Sequence, residues 1–130
     1  MADKNERGLP YLAGGLSMAV WWLFLYLAGF PAAVCMTALM AVLTISIVGI
    51  INIWWKISIH LASWGVLTGG VVLWTLQMHT TATGLLTGLM LTALVLMFAR
   101  LRLNAHTPMQ VVCGYLLGLC TGLLPLFWMG

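Results

Sequence analysis

The chain has almost no acid. Of its 130 residues only Asp3 and Glu6 carry carboxylates, and none follows Glu6, so nothing later in the chain neutralises the cations there. Charged residues of both signs make up 5% of the sequence, far below what a soluble surface carries. Cysteine occurs only as Cys35, Cys113 and Cys120, with no Cys-x-x-Cys pair. These read as small packing residues rather than a disulfide framework or thiolate metal site, and Cys113 and Cys120, seven apart, share a helix face. No two histidines or carboxylates have metal-ligand spacing, so no metal and no cofactor are expected. The net charge of +3 is too small and too localised for a nucleic-acid partner.

What the chain does have is apolar length. It is 63% hydrophobic, and five runs, 9–28, 32–54, 57–77, 82–99 and 109–128, approach or reach the roughly 20 residues that cross a bilayer. The expectation is an all-α integral membrane protein, a compact bundle of about five transmembrane helices. A polar tail over 1–8 precedes one domain over 9–130. The first run, following Lys4 and Arg7, is too long for a cleaved signal peptide and is expected to stay. Trp21 and Trp22 fall mid-span, where they would pack on neighbours or lipid chains. Trp54-Trp55-Lys56 has the order of an interfacial belt.

Glycine recurs at four-residue spacing as Gly65/Gly69, Gly84/Gly88 and Gly114/Gly118/Gly122. Such faces let helix backbones approach closely where lipid offers no hydrophobic drive between them. The first two spans lack the pattern and are expected to be peripheral or to face another protomer. Those spans and the glycine faces are the candidate contacts with another copy or a partner helix. Thr80 or Thr81 would cap the fourth span.

Polar chemistry gathers in two places. Residues 100–122 read RLRLNAHTPMQVVCGYLLGLCTG. Pro108 suits a first helical position, Thr107 then falls at N-cap, and Gln110 completes a Thr-x-x-Gln capping box. A helix would start there with its free N–H groups and positive dipole end beside Arg100, Arg102 and His106, the outline of a phosphate site. The second place is KISIH, residues 56–60, where Lys56 and His60 share a helical face and Ser58 lies between them. Span order puts both places on one membrane surface, while His79 falls about 30 Å away on the other. Two imidazoles and a guanidinium at a helix N-terminus suit phosphoryl transfer. One ring nitrogen attacks phosphorus, another protonates the leaving oxygen, and cations hold the remaining oxygens. For Lys56 and Arg102 the plainer reading, cations snorkelling at helix ends, stays open.

On these residues the chain resembles the type 2 phosphatidate phosphatase family of membrane lipid phosphatases. That family's third motif, Ser-Arg, five residues, His, three residues, Asp, is matched in spacing by Ala99-Arg100, LRLNA, His106, TPM and Gln110. Its second motif, Pro-Ser-Gly-His, aligns with Ile57-Ser58-Ile59-His60. The first motif, a Lys followed after six residues by Arg-Pro, is absent, with Lys56 the one substitute for its cations. Ala99 stands for Ser and Gln110 for the Asp that orients the nucleophile. The resemblance covers roughly residues 56–122. It implies His106 as a nucleophile forming phosphohistidine and His60 as the acid for the leaving alcohol. Arg100, Arg102, Lys56 and Ser58 with its nearby backbone would bind phosphate, with Thr107 and Gln110 capping and orienting.

The expectation is therefore a metal-independent phosphohydrolase acting on a phospholipid or isoprenyl phosphate. The alternative is a non-catalytic relative that binds a lipid or polyprenyl phosphate for transport, sensing or assembly. Membrane lipids and a lipid phosphate are the expected partners. The bacterial cytoplasmic membrane is the expected location. Lys4, Arg7, Lys56, Arg100 and Arg102 all fall on the N-terminal surface, which the positive-inside tendency assigns to the cytoplasm.

Overall fold

The computed structural model describes residues 4–104 and 106–129, without the side chains of 4–8 and 128–129. The described residues form an all-α bundle. Its helices are α1 (Lys4–Leu27), α2 (Ala32–Ile51), α3 (Ile59–Met78), α4 (Thr83–Arg102), α5 (Pro108–Leu123) and a single-turn α6 (Leu126–Met129). The helices over Leu9–Leu27, Ala32–Ile51, Ile59–Met78 and Thr83–Arg102 are long and apolar enough to cross a membrane, and this is an integral membrane protein.

The element boundaries differ from the expected spans where local chemistry intervenes. Helix α1 runs back through the expected tail to Lys4, because Pro10 removes only one backbone bond, to the Glu6 carbonyl near the helix start; residues 1–3 lie outside the described residues. Helix α2 stops at Ile51, and residues 52–55 form a turn. Helix α4 reaches Arg102, its last-turn arginines complementing the dipole. The fifth span, expected to run unbroken over 109–128, is interrupted at Leu124-Pro125, where proline has no N–H to continue the ladder. Its main helix has 16 residues, shorter than the other four. The α4 N-cap is Ala82 without a side-chain bond, so neither Thr80 nor Thr81 caps it.

Helix α3 is the centre. It runs parallel to α5 in constant register, with Gly114 against Ser58, Gly118 against Ala62 and Gly122 against Val66. A Cβ on Gly114 would stand 2.6 Å from the Ser58 carbonyl oxygen, and one on Gly69 2.9 Å from Gly122. Glycine is therefore what permits backbone-to-backbone packing here. Gly84 and Gly88 carry the same spacing but face open space. The second span is not peripheral: Thr44 and Val48 are buried, and the Thr44 and Thr121 hydroxyls hydrogen-bond at 2.6 Å, joining α2 to α5. Helix α1 lies outside, meeting α2 where Tyr11 rests on Gly49 and Ile45 on Gly14. Helix α4 packs on α3 through Trp64, whose Nε1 donates to the Leu89 carbonyl at 2.9 Å.

Candidate functional site

The site forms where three helix ends meet: the end of α4, the N-terminus of α5 and the loop leading into α3. The expected capping box is present. The Gln110 N–H donates to Thr107 Oγ1 at 3.3 Å, and the Thr107 N–H donates to Gln110 Oε1 at 2.9 Å, with Pro108 opening the helix. The turn from α4 is made possible by Asn104, whose φ of 54° lies in the left-handed region that Asn tolerates. His106 follows, half-buried, between that turn and the capped helix.

His106 Nδ1 lies 3.3 Å from the backbone carbonyl of Lys56. A carbonyl only accepts, so in the neutral ring Nδ1 carries the proton and Nε2 the lone pair. Burial does most to hold the imidazole below the ordinary histidine range. The hydrogen bond to the Lys56 carbonyl pulls the other way, the charges of Arg100 and Lys56 lower it further, and the Gln110 side chain raises it. The net effect favours neutral imidazole, with its lone pair on Nε2.

The loop is braced at the residue after Lys56. Asn52, buried beneath the loop, donates from Nδ2 to the Tyr11 hydroxyl at 2.9 Å and to the Ile57 carbonyl at 3.2 Å. The residue that shapes the loop thus stands at the end of α2 and ties α1 to the segment leading into α3. No sequence signal marked it beyond a polar residue closing an apolar run. The Ser58 N–H donates to the Gln110 carbonyl at 3.5 Å, holding the α3 and α5 starts together.

Ser58 corrects an expectation. The resemblance implies a phosphate contact for it, but it is fully buried and its Oγ accepts from the Leu61 N–H as the N-cap of α3. Its own N–H faces Gln110, so neither group is open to a ligand. Arg100 is half-buried, close enough for its charge to act on both His60 and His106, and its Nε is buried without a hydrogen-bond partner among the described residues. Arg102, two residues on, is exposed over the Phe98 ring at 5.8 Å and turns towards the surroundings. His60 is exposed in the first turn of α3, and Lys56 is half-buried.

A cavity of about 520 Å³ opens here, lined by Leu101, Asn104, His106, Thr107, Pro108 and Gln110. Lys56, His60 and Arg100 lie outside that lining, so the four residues do not ring a single pocket. Arg100 is what the two histidines share. His79, at the far end of α3, takes a left-handed φ of 50° as its C-cap and has no part in the site. Among the described residues no three His, Cys, Asp or Glu side chains come together as a metal site. Comparison with family models, curated proteins and solved structures finds no match.

Proposed function

We propose that this protein is a metal-independent lipid-phosphate phosphohydrolase that works through a phosphohistidine on His106. The observation that carries the reading is the Nδ1–H of His106 held on the Lys56 carbonyl. A neutral imidazole whose lone pair is on Nε2 is suited to attack on phosphorus and poorly suited to simple anion binding, which favours donors. The carbonyl supplies the orientation for which the family uses a carboxylate. The reaction then balances in two steps. Nε2 bonds to phosphorus as the bond to the lipid oxygen breaks, and His60 delivers a proton to that oxygen. Water then attacks the phosphohistidine, His60 takes its proton, and inorganic phosphate leaves. Arg100, whose charge acts on both rings, would hold non-bridging oxygens.

A second reading, a lipid-phosphate binder without turnover, is favoured by the placement of His60 outside the cavity that His106 lines. The test is phosphate release from a panel of lipid phosphates in detergent, with acid-quenched protein assayed for acid-labile phosphoryl groups. Release and labelling that fall about 10³-fold or more in His106→Ala support hydrolysis. Folded protein that binds lipid phosphate and releases none gives the binding reading the lead. We also propose that the charged surface faces the cytoplasm of a bacterial cell, on loop charge. Labelling of an added N-terminal cysteine by an impermeant reagent in intact cells would reverse that orientation.

A further inference from the structure

A second cavity lies within the membrane-spanning part. It measures about 840 Å³, within the roughly 300–1,000 Å³ of small-molecule sites. It lies between α1, α2 and α3, with Leu85 of α4 at its edge. Its walls are almost wholly apolar, and three of the four hydroxyls lining it donate within their own helices, Ser17 to the Ala13 carbonyl, Thr37 to that of Ala33 and Thr44 to that of Met40; the fourth, Ser63, lies at the end nearest His60. Beyond Ser63 the cavity therefore offers a ligand apolar contact and no polar anchor.

One end of the cavity adjoins the cationic site. Ile59 and Ser63 line it, and His60 lies beside the first and one turn above the second on α3. The other end is formed by Trp74 of α3, Trp21 and Leu25 of α1 and Ala33 of α2. From Ile59 to Trp74 the helix rises about 22 Å at 1.5 Å per residue. One leaflet supplies about 15 Å of hydrocarbon, half of a roughly 30 Å core. The groove thus continues past the bilayer midplane, where a leaflet-length acyl chain ends.

We infer that this cavity seats one hydrocarbon chain longer than a leaflet, descending from a phosphate held near His60 and Arg100. The ligand it fits is a single-chain, polyisoprenyl-type lipid phosphate rather than a diacyl phosphatidate. The phosphate end rests on the function proposed above; the chain site rests on the cavity alone. Charge and apolar surface are arranged end to end: cations at the interface, then, past Ser63, an apolar slot across most of the membrane.

The test uses the full chain in lipid nanodiscs with three photoactivatable probes, each carrying a diazirine at the chain terminus. They are a long polyisoprenyl monophosphate, the corresponding polyisoprenol and a diacyl phosphatidate. Crosslinks are mapped by mass spectrometry. The polyisoprenyl phosphate should label the distal end, at Trp21, Leu25, Ala33 and Trp74, at least about tenfold more than phosphatidate does. Ala41→Trp, which places an indole midway along the α2 wall, should cut that distal labelling severalfold. Equal distal labelling by phosphatidate overturns the inference, as does polyisoprenyl labelling spread over the exposed face of α4. Since the probe comparison uses the unmodified chain, a misfolded Ala41→Trp leaves it decisive. Distal labelling by the alcohol with no gain from the phosphate would uphold the chain site while refuting the phosphate site.

Discussion

Gly118→Ala perturbs the contact on which the site's assembly depends. The added Cβ would overlap the Ala62 carbonyl oxygen and stand 2.7 Å from its carbon and 2.9 Å from its Cα. Carbon atoms pack at about 3.5–4.0 Å, so the helices must part by about 1 Å. All three obstacles are backbone atoms, which no rotamer change can move. Overpacking of this kind costs about 3 kcal/mol at the upper end of its usual range. Replacing a mid-helix glycine returns about 1 kcal/mol of helix propensity, leaving a net loss of about 2 kcal/mol. Gly88→Ala is the matched control. Its Cβ meets nothing within 4 Å, so the same exchange should be neutral or stabilising by up to about 1 kcal/mol. Unfolding both variants in one detergent reads the difference directly. Separation of α3 from α5 would also lengthen the Ser58–Gln110 and His106–Lys56 contacts, so Gly118→Ala should lose phosphate release and Gly88→Ala should keep it. Shifts of the same sign and size in the two variants would refute the parallel α3–α5 packing.

The charge on Lys56 helps keep His106 neutral, and Lys56→Gln removes it while leaving the carbonyl in place. Since neutral imidazole attacks, activity should fall with acid as His106 gains its proton, at a pH below the 6.5 of an ordinary histidine. In Lys56→Gln that acid limb should move to higher pH, as read from a kcat/KM profile; an unmoved limb would separate Lys56 from the nucleophile. Arg100→Ala should weaken lipid-phosphate binding about tenfold or more, the scale of a charge-assisted hydrogen bond. Arg102→Ala should change it by less than about twofold, because Arg102 lies exposed over Phe98; titrations showing equal losses would contradict this division.

The sequence carried most of what local chemistry decides. Apolar runs placed the helices, and the Thr107-Pro108-Gln110 pattern placed the α5 start with its capping box. It could not sort the glycine faces, since Gly84/Gly88 and Gly114/Gly118 have the same spacing and only the neighbouring helix tells them apart. Nor could it reveal the Lys56 carbonyl as the partner of His106. A backbone acceptor has no side-chain signature, and the loop that carries it is braced by Asn52, which reaches Tyr11 of α1 and the neighbouring Ile57 carbonyl. Ser58 is ambiguous in sequence for a related reason: serine at a helix start is equally a ligand contact and an N-cap, and burial decides between them.

Gln110 is where the cap and the chemistry meet, and it gives the sharpest substitution. The family pattern suggests Asp at this position, but the geometry argues for glutamate. Gln110 Oε1 already accepts the Thr107 N–H at 2.9 Å while its side chain also interacts with His106. Asp, one methylene shorter, must give up reach to one of these, whereas Glu keeps the length and is equally at home in a capping box. Gln110→Glu adds a negative charge in the first turn of α5, favourable to the dipole, and places it beside a ring that becomes cationic as phosphohistidine forms. Two effects should follow together. The acid limb should move to higher pH, because a carboxylate favours imidazolium. The plateau rate above that limb should rise by about tenfold for each roughly 1.4 kcal/mol by which the charged ring is stabilised. An electrostatic change without chemistry would move the ring's titration, followed by NMR, and leave phosphate release flat. If Gln110→Glu shifts His106 in the titration and turnover still fails to rise, in protein that remains folded and binds lipid phosphate, then His106 is not the nucleophile and hydrolysis is the wrong reading of this site.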